Sequence, residues 1–382
     1  MKRMMIVLAL CALLPVQALA AQISMTQMEQ QNDSSLVVFS VGDELAAPGE
    51  APDALQMALS AQIEARFQPQ KAMTASTRGS VVQEGSLYQD ENAASMALIW
   101  RGEQIDGTEG CSAMGLTVNL NTGEEIFLEQ LFADPDAAFA RMEEIIADDV
   151  LDGMSDYMEY ADLLPMPREQ YSFDAYGLTV YWPEDRYRWF DGTCGSVTFY
   201  WYELADFIAE GSPVYALAHP DVPYHPGAIE TACFGGEMTP MLRLELGVLL
   251  GDAARDYRLA DPDYTTDALV YPLERVRGFS LEIPKYAQTQ EEMTPISAIR
   301  ASRISLCGLL TTGKTTDLEI LSLLGEPAKE IVYDEDDAFD AMLEPGISLL
   351  YEISGRVLQL HVDEAGVLSC VILRGAMPES LY

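Results

Sequence analysis

The spacing of apolar residues along this chain alternates between the pattern of a strand and the pattern of a helix. One stretch combines a strand pattern, a turn and the lead-in to a helix. In the stretch 117–132, the residues up to Leu120 suit a strand, and 121–123 (Asn-Thr-Gly) suits a turn. An apolar run at 126–128 then precedes a second helical pattern. The stretch therefore predicts a hairpin that feeds a helix, with other strands arranged around it.

The first half of the chain alternates strand patterns with two helices. Leu55, Leu59, Ile63 and Phe67 form one apolar stripe of a helix over 54–67, and a second helix follows Asp134. Strands are predicted at 35–40, 79–88, 93–101, 171–173, 177–182 and 196–202. These elements predict an α+β domain, an antiparallel sheet with helices packed on one face.

The second half begins after a segment rich in proline and glycine. Short strands are predicted at 241–250, 268–271, 278–283 and 303–310, then a helix at 317–324 and a three-strand meander at 348–353, 357–362 and 367–373. This pattern predicts a second, small two-layer α+β domain. The predicted organisation is a signal peptide at 1–20, a domain at 23–211, a linker at 212–240 and a C-terminal module at 241–382.

The first twenty residues have the pattern of a secretory signal. Lys2 and Arg3 precede an apolar run, and small residues at Ala18 and Ala20 mark a cleavage site. The apolar core is too short to span a bilayer, and no later stretch is long and apolar enough. We therefore expect a secreted or cell-envelope protein with no transmembrane segment after signal cleavage.

The chain is strongly acidic, with 61 Asp and Glu against 22 Lys and Arg and a net charge of −39. Such a field repels nucleic acid and anionic membranes and favours a cationic partner. Solubility outside the cell is the simpler explanation of the same charge.

Cysteine spacing gives no CxxC pair and no Cys/His cluster, so no zinc site is predicted. In an oxidising compartment the expected disulfides are Cys111 with Cys194 and Cys307 with Cys370, because each pair lies within one predicted domain.

An aromatic belt with interleaved arginines is the candidate binding surface. Binding hot spots are enriched in aromatic and arginine side chains, and aromatic rings also stack on sugars. An ordinary sheet core would use the same aromatic residues. The predicted binding residues are Trp182, Arg186, Tyr187, Arg188, Trp189, Tyr200 and Tyr202.

No catalytic residue, metal or cofactor is predicted. Gly308–Thr315 spells the phosphate-loop pattern GxxxxGK[ST], but too little chain follows for the parallel strands of such a fold, and the glycines suit a turn into the helix. The acidic run 333–340 lacks the central glycine of a calcium loop, so a solvated hairpin tip is expected there.

Two resemblances add to this interpretation. ENAASMALIW, GLTVNLNTGEEIFLEQLF and FDAYGLTVYW, within about 35–214, resemble the extracellular domain of RsiV-type anti-sigma-V factors, which sense lysozyme. TTGKTTDLEILSLLGEP and the three strands after it resemble small-protein-A type lipoproteins and beta-lactamase inhibitor proteins, whose modules bind proteins. The resemblances imply an exported, non-catalytic binding or sensing protein, with a lysozyme-like cationic protein as partner. The alternative is a cell-wall glycan-active enzyme or accessory subunit.

Overall fold

The structure is a computed structural model, and the fold divides into two compact units, Met1–Ile126 and Phe127–Tyr382, which are described separately. The described residues are 22–30, 34–42, 54–77, 80–103, 109–151, 164–182, 195–220, 246–257, 259–273, 276–285, 291–353 and 355–375.

The first unit is a five-stranded sheet with one long helix. In chain order its elements are β1 (Gln22–Gln30), β2 (Ser34–Gly42), α1 (Ala54–Ser76), β3 (Val81–Gln89), β4 (Ala93–Glu103) and β5 (Glu109–Asn119). The strands lie in the order β1-β2-β3-β4-β5. β2 and β3 are parallel, with α1 in the connection between them, and the other pairs are antiparallel.

Helix α1 buries the stripe that its sequence predicts. Leu59, Ile63 and Phe67 pack with residues of the sheet into one core, and each side chain contributes about 1.5–3 kcal/mol by leaving water. The helix continues beyond the predicted 54–67 to Ser76. Its buried Gln70 donates from Nε2 to the Leu98 and Ser112 carbonyl oxygens, which anchors this extension to β4 and β5.

The second unit begins with helices around a three-stranded sheet. Its elements are a 3-10 helix (Leu128–Leu131), α2 (Pro135–Ile145), a π-helical turn (Ile146–Leu151), β6 (Tyr171–Phe173), β7 (Gly177–Tyr181), β8 (Ser196–Tyr200), α3 (Trp201–Leu204), a 3-10 turn (Ala205–Phe207) and α4 (Tyr215–Ala218). Asp134 caps α2 by accepting from the backbone N–H of Ala137 at 3.2 Å. The stretch 117–132 thus contains the predicted strand end and turn, and Leu128–Leu131 forms a 3-10 helix where only a lead-in to the next helix was predicted.

An eight-stranded antiparallel sheet forms the remainder of this unit. Its strands lie in the order β15-β16-β17-β18-β12-β11-β10-β9. In chain order the elements are α5 (Leu250–Asp256), β9 (Asp263–Tyr264), β10 (Ala268–Pro272), β11 (Phe279–Pro284), a 3-10 turn (Glu291–Met293), β12 (Ala298–Ala301), β13 (Ser305–Leu306), β14 (Leu310–Thr311), α6 (Asp317–Leu324), β15 (Lys329–Tyr333), α7 (Glu335–Ala341), β16 (Gly346–Ile353), β17 (Arg356–Asp363) and β18 (Leu368–Arg374).

The structure confirms the α+β class, the meander and the helix at 317–324, and it corrects three details. The strands predicted for one first-domain sheet form two separate sheets. The segment 303–310 is no continuous strand, because Cys307 and Gly308 take positive φ values of 56° and 67° in a type I′ turn between β13 and β14. Of the strand predicted at 241–250, residues 246–250 contain a turn and the start of α5.

The domain limits 23–211, 212–240 and 241–382 stay predictions, and the division of the structure falls after Ile126. The signal peptide lies outside the described residues. Among the residues that the structure does describe, no helix combines the length and apolarity needed to cross a membrane.

Candidate functional site

The acidic run at 334–340 forms helix α7 and not the expected hairpin tip. The run does lie in the connection of an antiparallel pair, β15 and β16, but Asp334 accepts at Oδ1 from the backbone N–H groups of Asp336 and Asp337, at 3.1 and 3.0 Å. This cap starts the helix. Ala338 faces the core beside Ile331 and Ala341 packs partly against the same cluster, while the side chains of Glu335–Asp337, Phe339 and Asp340 are exposed.

Phe339 is the exposed aromatic residue of this helix. Its side chain is 82% exposed, an unusual position for phenylalanine. Five exposed carboxylates lie in the same run, and we call this set together with Phe339 the acidic helix surface: Asp334, Glu335, Asp336, Asp337 and Asp340. No cluster of metal-ligating side chains occurs in the part of the chain that the structure describes.

The predicted aromatic belt is only partly exposed to ligands. Trp182 is 1% exposed and packs in the interior, so the expected surface position is wrong for this residue. Its backbone N–H donates to the carbonyl oxygen of Gly195, which precedes β8, so the sheet pairing of β7 and β8 continues to this residue. Arg186, Tyr187, Arg188 and Trp189 lie outside the described residues, and their binding role stays a prediction.

Tyr200 and Tyr202 line the same cleft. They do so for a reason other than the alternation of side chains along one strand. β8 ends at Tyr200 and α3 begins at Trp201, so the two tyrosines are not successive residues on one strand face. Their rings nevertheless stack, with centroids 6.0 Å apart and planes 7° apart. Tyr200 is buried and Tyr202 is half-buried.

We call this cavity of about 310 Å³ the aromatic cleft. Aromatic rings, two cations and small polar groups form its wall. The lining residues are Ala175, Tyr176, Tyr200, Trp201, Tyr202, Ala205, Leu217, Ala218, Pro220, Arg303, Ile304, Ser305, Gly308, Thr311 and Lys314.

A buried ion pair fixes the inner wall of the cleft. Arg277 pairs with Glu203, both nearly buried, and its guanidinium lies over the Tyr200 ring at 5.2 Å from the centroid. The Tyr200 hydroxyl donates to the Arg277 carbonyl oxygen. Burial raises the pKa of Tyr200 far above its usual range, and burial followed by the charge of Glu203 does the same for Tyr202.

The Tyr202 hydroxyl differs from its neighbour. It is buried, and no described residue meets it in hydrogen-bond geometry, although the Thr312 side chain is close enough to lower its pKa; the Tyr200 hydroxyl, in contrast, is bonded. Buried polar groups are nearly always satisfied in native proteins. An unsatisfied hydroxyl at a cleft therefore marks a place where a ligand could bond.

The phosphate-loop pattern at 308–315 cannot cradle phosphate through its backbone. The amide N–H groups of 309 and 311–315 already donate to Leu306, Ile304, Thr311, Thr315 and Leu368. A phosphate loop works by aiming such amides at the ligand. Its glycines serve turns instead, and its Lys314 lies on the wall of the aromatic cleft.

A second cavity, of about 390 Å³, lies elsewhere in this unit above a buried polar network. Arg300 donates from Nη2 to Glu282 Oε1 at 2.7 Å, and Arg374 donates from Nη1 to Glu282 Oε2 at 2.6 Å. Burial opposes the charge of Glu282, but the two guanidiniums outweigh it and hold the pKa of this carboxyl below its usual range. Arg300 also donates to the carbonyl oxygens of Ala341 and Met342, at the end of α7.

The network continues through a serine and a histidine that lack access to substrate. Ser348 Oγ and His361 Nδ1 lie 3.0 Å apart, and both residues are 0% exposed. His361 Nε2 contacts the backbone oxygen of Glu344 at 2.8 Å, where a catalytic triad would have a carboxylate. Burial also lowers the pKa of His361. This geometry is that of a structural hydrogen-bond network.

The state of the cysteines differs from the prediction for one of the two expected disulfides. Cys370 is a free, buried thiol whose pKa burial raises to about 11, so the predicted pair of Cys307 with Cys370 is wrong. The cause is sheet geometry: Cys370 packs with Ala298 and Ile372, while Cys307 packs on the core formed by the opposite face of β18. Cys111 is disulfide-bonded, and its predicted partner Cys194 lies outside the described residues.

The sequence interpretation missed Phe339, Lys314 and Arg303 as surface or cleft residues. The phenylalanine lies in a sequence run that contains five carboxylates, and this pattern could have indicated that its side chain is exposed. Nothing in the sequence brings 303–314 next to 200–202, because only the fold joins segments that far apart.

Comparison with known proteins gives limited similarity. No family model matches the chain, and no curated protein matches it. Among solved structures, the chain is similar to a DUF3298 family protein from Pseudomonas aeruginosa, with 10% identity over 50% of this chain and 93% of that one, at a TM-score of 0.31. A Bacteroides fragilis DUF3298 protein gives 11% identity over 52% and 97%, with a TM-score of 0.30.

A DUF4309 family protein, YjgB, from Bacillus subtilis is 15% identical over 39% of this chain and 94% of that chain, with a TM-score of 0.28. All three are proteins of families named as domains of unknown function.

Proposed function

We propose that this chain is an exported, non-catalytic binding or sensing protein of the bacterial cell envelope, and that its partner is a cationic protein. The observation that carries the proposal is the acidic helix surface, in which Phe339 stands 82% exposed among five exposed carboxylates. Aromatic residues, phenylalanine included, are enriched at protein interfaces, and the rim around them is polar.

Charge supports the same partner class. A net charge of −39 steers a cationic protein toward the chain and accelerates its association at low salt. The resemblance to RsiV-type domains supplies a concrete candidate, lysozyme, and the signal-like N-terminus supports an envelope location.

The non-catalytic part of the proposal rests on the two cavities. A glycan-cleaving site needs two facing carboxylates, one of them with a raised pKa. The residues that line the aromatic cleft include no carboxylate. The second cavity is lined by three carboxylates, Asp267, Glu282 and Asp340, and of these Glu282 is held ionised by two arginines.

The test is calorimetric titration of the protein with hen-type lysozyme at about 0.05 and 0.3 M salt. We expect binding that weakens at high salt, and a loss of about tenfold or more in affinity for Phe339→Ala, as for a hot-spot residue. Leu318→Ala is the matched control, because Leu318 is also exposed on a helix, α6, but lies outside the acidic helix surface and outside the stretch 35–214. Absence of heat at both salts, or equal affinity of the two variants, would overturn the proposal.

A further inference from the structure

The aromatic cleft has the opposite charge character to the rest of the chain. The chain carries 61 acidic residues, yet none of them is among the residues that line the cleft. The charged residues of the lining are Arg303 and Lys314. A cationic partner would be repelled from this wall. The ligand that suits it is anionic, so this cleft and the acidic helix surface serve different ligands.

Lys314 is positioned to hold an anion. Gly313, at φ 74°, turns the chain just before it, and the ammonium donates one hydrogen bond, at 3.0 Å, to the Tyr202 carbonyl oxygen. Within the described part of the chain this is the only hydrogen bond of the Lys314 ammonium. An ammonium has three donors, so two are left to a ligand.

The anionic group is more suitably a carboxylate than a phosphate. The amides of the 308–315 loop donate elsewhere, so no backbone cradle is present for a multiply charged phosphate. The groups on the wall are side chains: the Lys314 ammonium, the Arg303 guanidinium, whose Nη1 donates to the Ser302 carbonyl oxygen, and the Ser305 and Thr311 hydroxyls. These two hydroxyls hydrogen-bond each other at 2.7 Å, so one hydroxyl hydrogen is left for a ligand. An ammonium with a neighbouring hydroxyl donor matches a carboxylate.

The rest of the wall suits a ring. Tyr202 stacks on Tyr200, which its hydroxyl and Arg277 hold in place, and the indole N–H of Trp201 donates to the Asp174 carbonyl oxygen at 2.9 Å. Such fixed aromatic groups lose little entropy on binding. A volume of about 310 Å³ lies at the small end of ligand cavities and limits the ligand to about one sugar-sized ring.

We infer that the aromatic cleft binds a monosaccharide-sized ring compound that bears a carboxylate, with Lys314 as the partner of the carboxylate and Tyr202 as a packing surface for the ring. The inference is independent of the acidic helix surface, and its test contains no protein partner.

The experiment uses the full chain labelled with ¹⁵N-lysine, which gives one amide signal for each of its five lysines. D-glucuronate is the probe, D-glucose is its uncharged match, and inorganic phosphate is an anion without a ring. We expect glucuronate to shift the Lys314 signal saturably, and to shift the signals of Lys71, Lys285 and Lys329 far less. Equal shifts with glucose would overturn the need for charge, and equal shifts with phosphate would overturn the need for a ring.

Two variants complete the test. Lys314→Met should weaken glucuronate binding, measured by calorimetric titration of each variant, by at least about tenfold, the loss expected for a charge-assisted hydrogen bond. Lys285→Met is the matched control, because Lys285 also donates to a backbone oxygen, that of Thr265 at 3.2 Å, but lies outside the cleft. Lys314→Arg keeps the charge and should retain binding. Undiminished affinity in Lys314→Met, or no saturable shift in the unsubstituted protein, would refute the inference.

Discussion

The buried network around Glu282 and the aromatic cleft around Tyr202 lie in the same unit, and both combine arginine with tyrosine, yet they differ in what their polar groups bond. In the network, Glu282, Arg300 and Arg374 use one another, and Gln359 and Ser348 extend the chain of bonds. In the cleft, the Tyr202 hydroxyl is buried without a partner among the described residues.

The difference separates stability from binding. A fully satisfied buried network gains nothing from a ligand, and breaking it leaves charges unpaired in a medium of low dielectric constant. A wall with spare donors keeps part of its bonding capacity for a ligand. Strongly perturbed pKa values occur at both places, so they do not by themselves identify the binding site.

The largest expected effect is from Glu282→Gln. The substitution preserves the shape of the side chain but leaves the buried Arg300 and the partly buried Arg374 without their counter-charge, so we expect a loss of about 3–5 kcal/mol in the free energy of unfolding, measured by urea denaturation. Glu330→Gln, at an exposed position on β15, is the control and should change stability by less than about 0.5 kcal/mol. A loss below about 1 kcal/mol for Glu282→Gln would mean that the network contributes little stability.

The same carboxylate gives a pH dependence of known sign. Because the folded-state pKa of Glu282 is lowered, its stabilisation is complete above the unfolded value of about 4.3 and is lost as pH falls through the folded pKa. The stability difference between the unsubstituted protein and Glu282→Gln should therefore shrink at low pH. Urea midpoints of both proteins between pH 7 and 3 measure it, and a difference that grows toward acid would contradict the assignment.

Much of the fold could be predicted from the sequence because its signals are local. The apolar stripe of α1 and the cap of α6 by Thr316 depend on residues that lie three or four positions apart in the sequence. The meander β16–β18 is indicated by its short turns. The predictions failed where long-range pairing decides. β12 lies between β11 and β18, and nothing near Arg300 in the sequence indicates that Glu282 and Arg374 will flank it.

For the candidate sites, too, local sequence patterns were informative and long-range contacts could not be predicted. Tyr200 and Tyr202 were predicted as binding residues and do line a cleft, but the strand alternation that suggested them ends at Tyr200. Lys314 was considered only as part of a phosphate-loop pattern. Its place beside Tyr202 depends on the hairpin β13–β14 folding back across the unit, which no local pattern specifies.

A smaller effect is expected at the inner wall of the cleft. Tyr200→Phe removes the hydroxyl that donates to the Arg277 carbonyl oxygen and leaves that oxygen buried beside an ion pair, so we expect a loss of about 1–2 kcal/mol in stability. Tyr264→Phe, at a tyrosine 62% exposed on β9, is the matched control and should change little. Equal stability of both variants would show that the Tyr200 bond is not a structural anchor.

The smallest effect is predicted for Tyr202→Phe, two residues along the chain. Its hydroxyl makes no hydrogen bond with the described residues, so its removal should leave the urea midpoint within about 0.5 kcal/mol of the unsubstituted protein, or raise it, because a buried polar group without a partner costs stability. Tyr200→Phe is the comparison at a bonded hydroxyl in the same ring stack. A loss of about 1 kcal/mol for Tyr202→Phe would mean that this hydroxyl is satisfied in the folded protein, and the contrast between cleft and network would then rest on Lys314 alone.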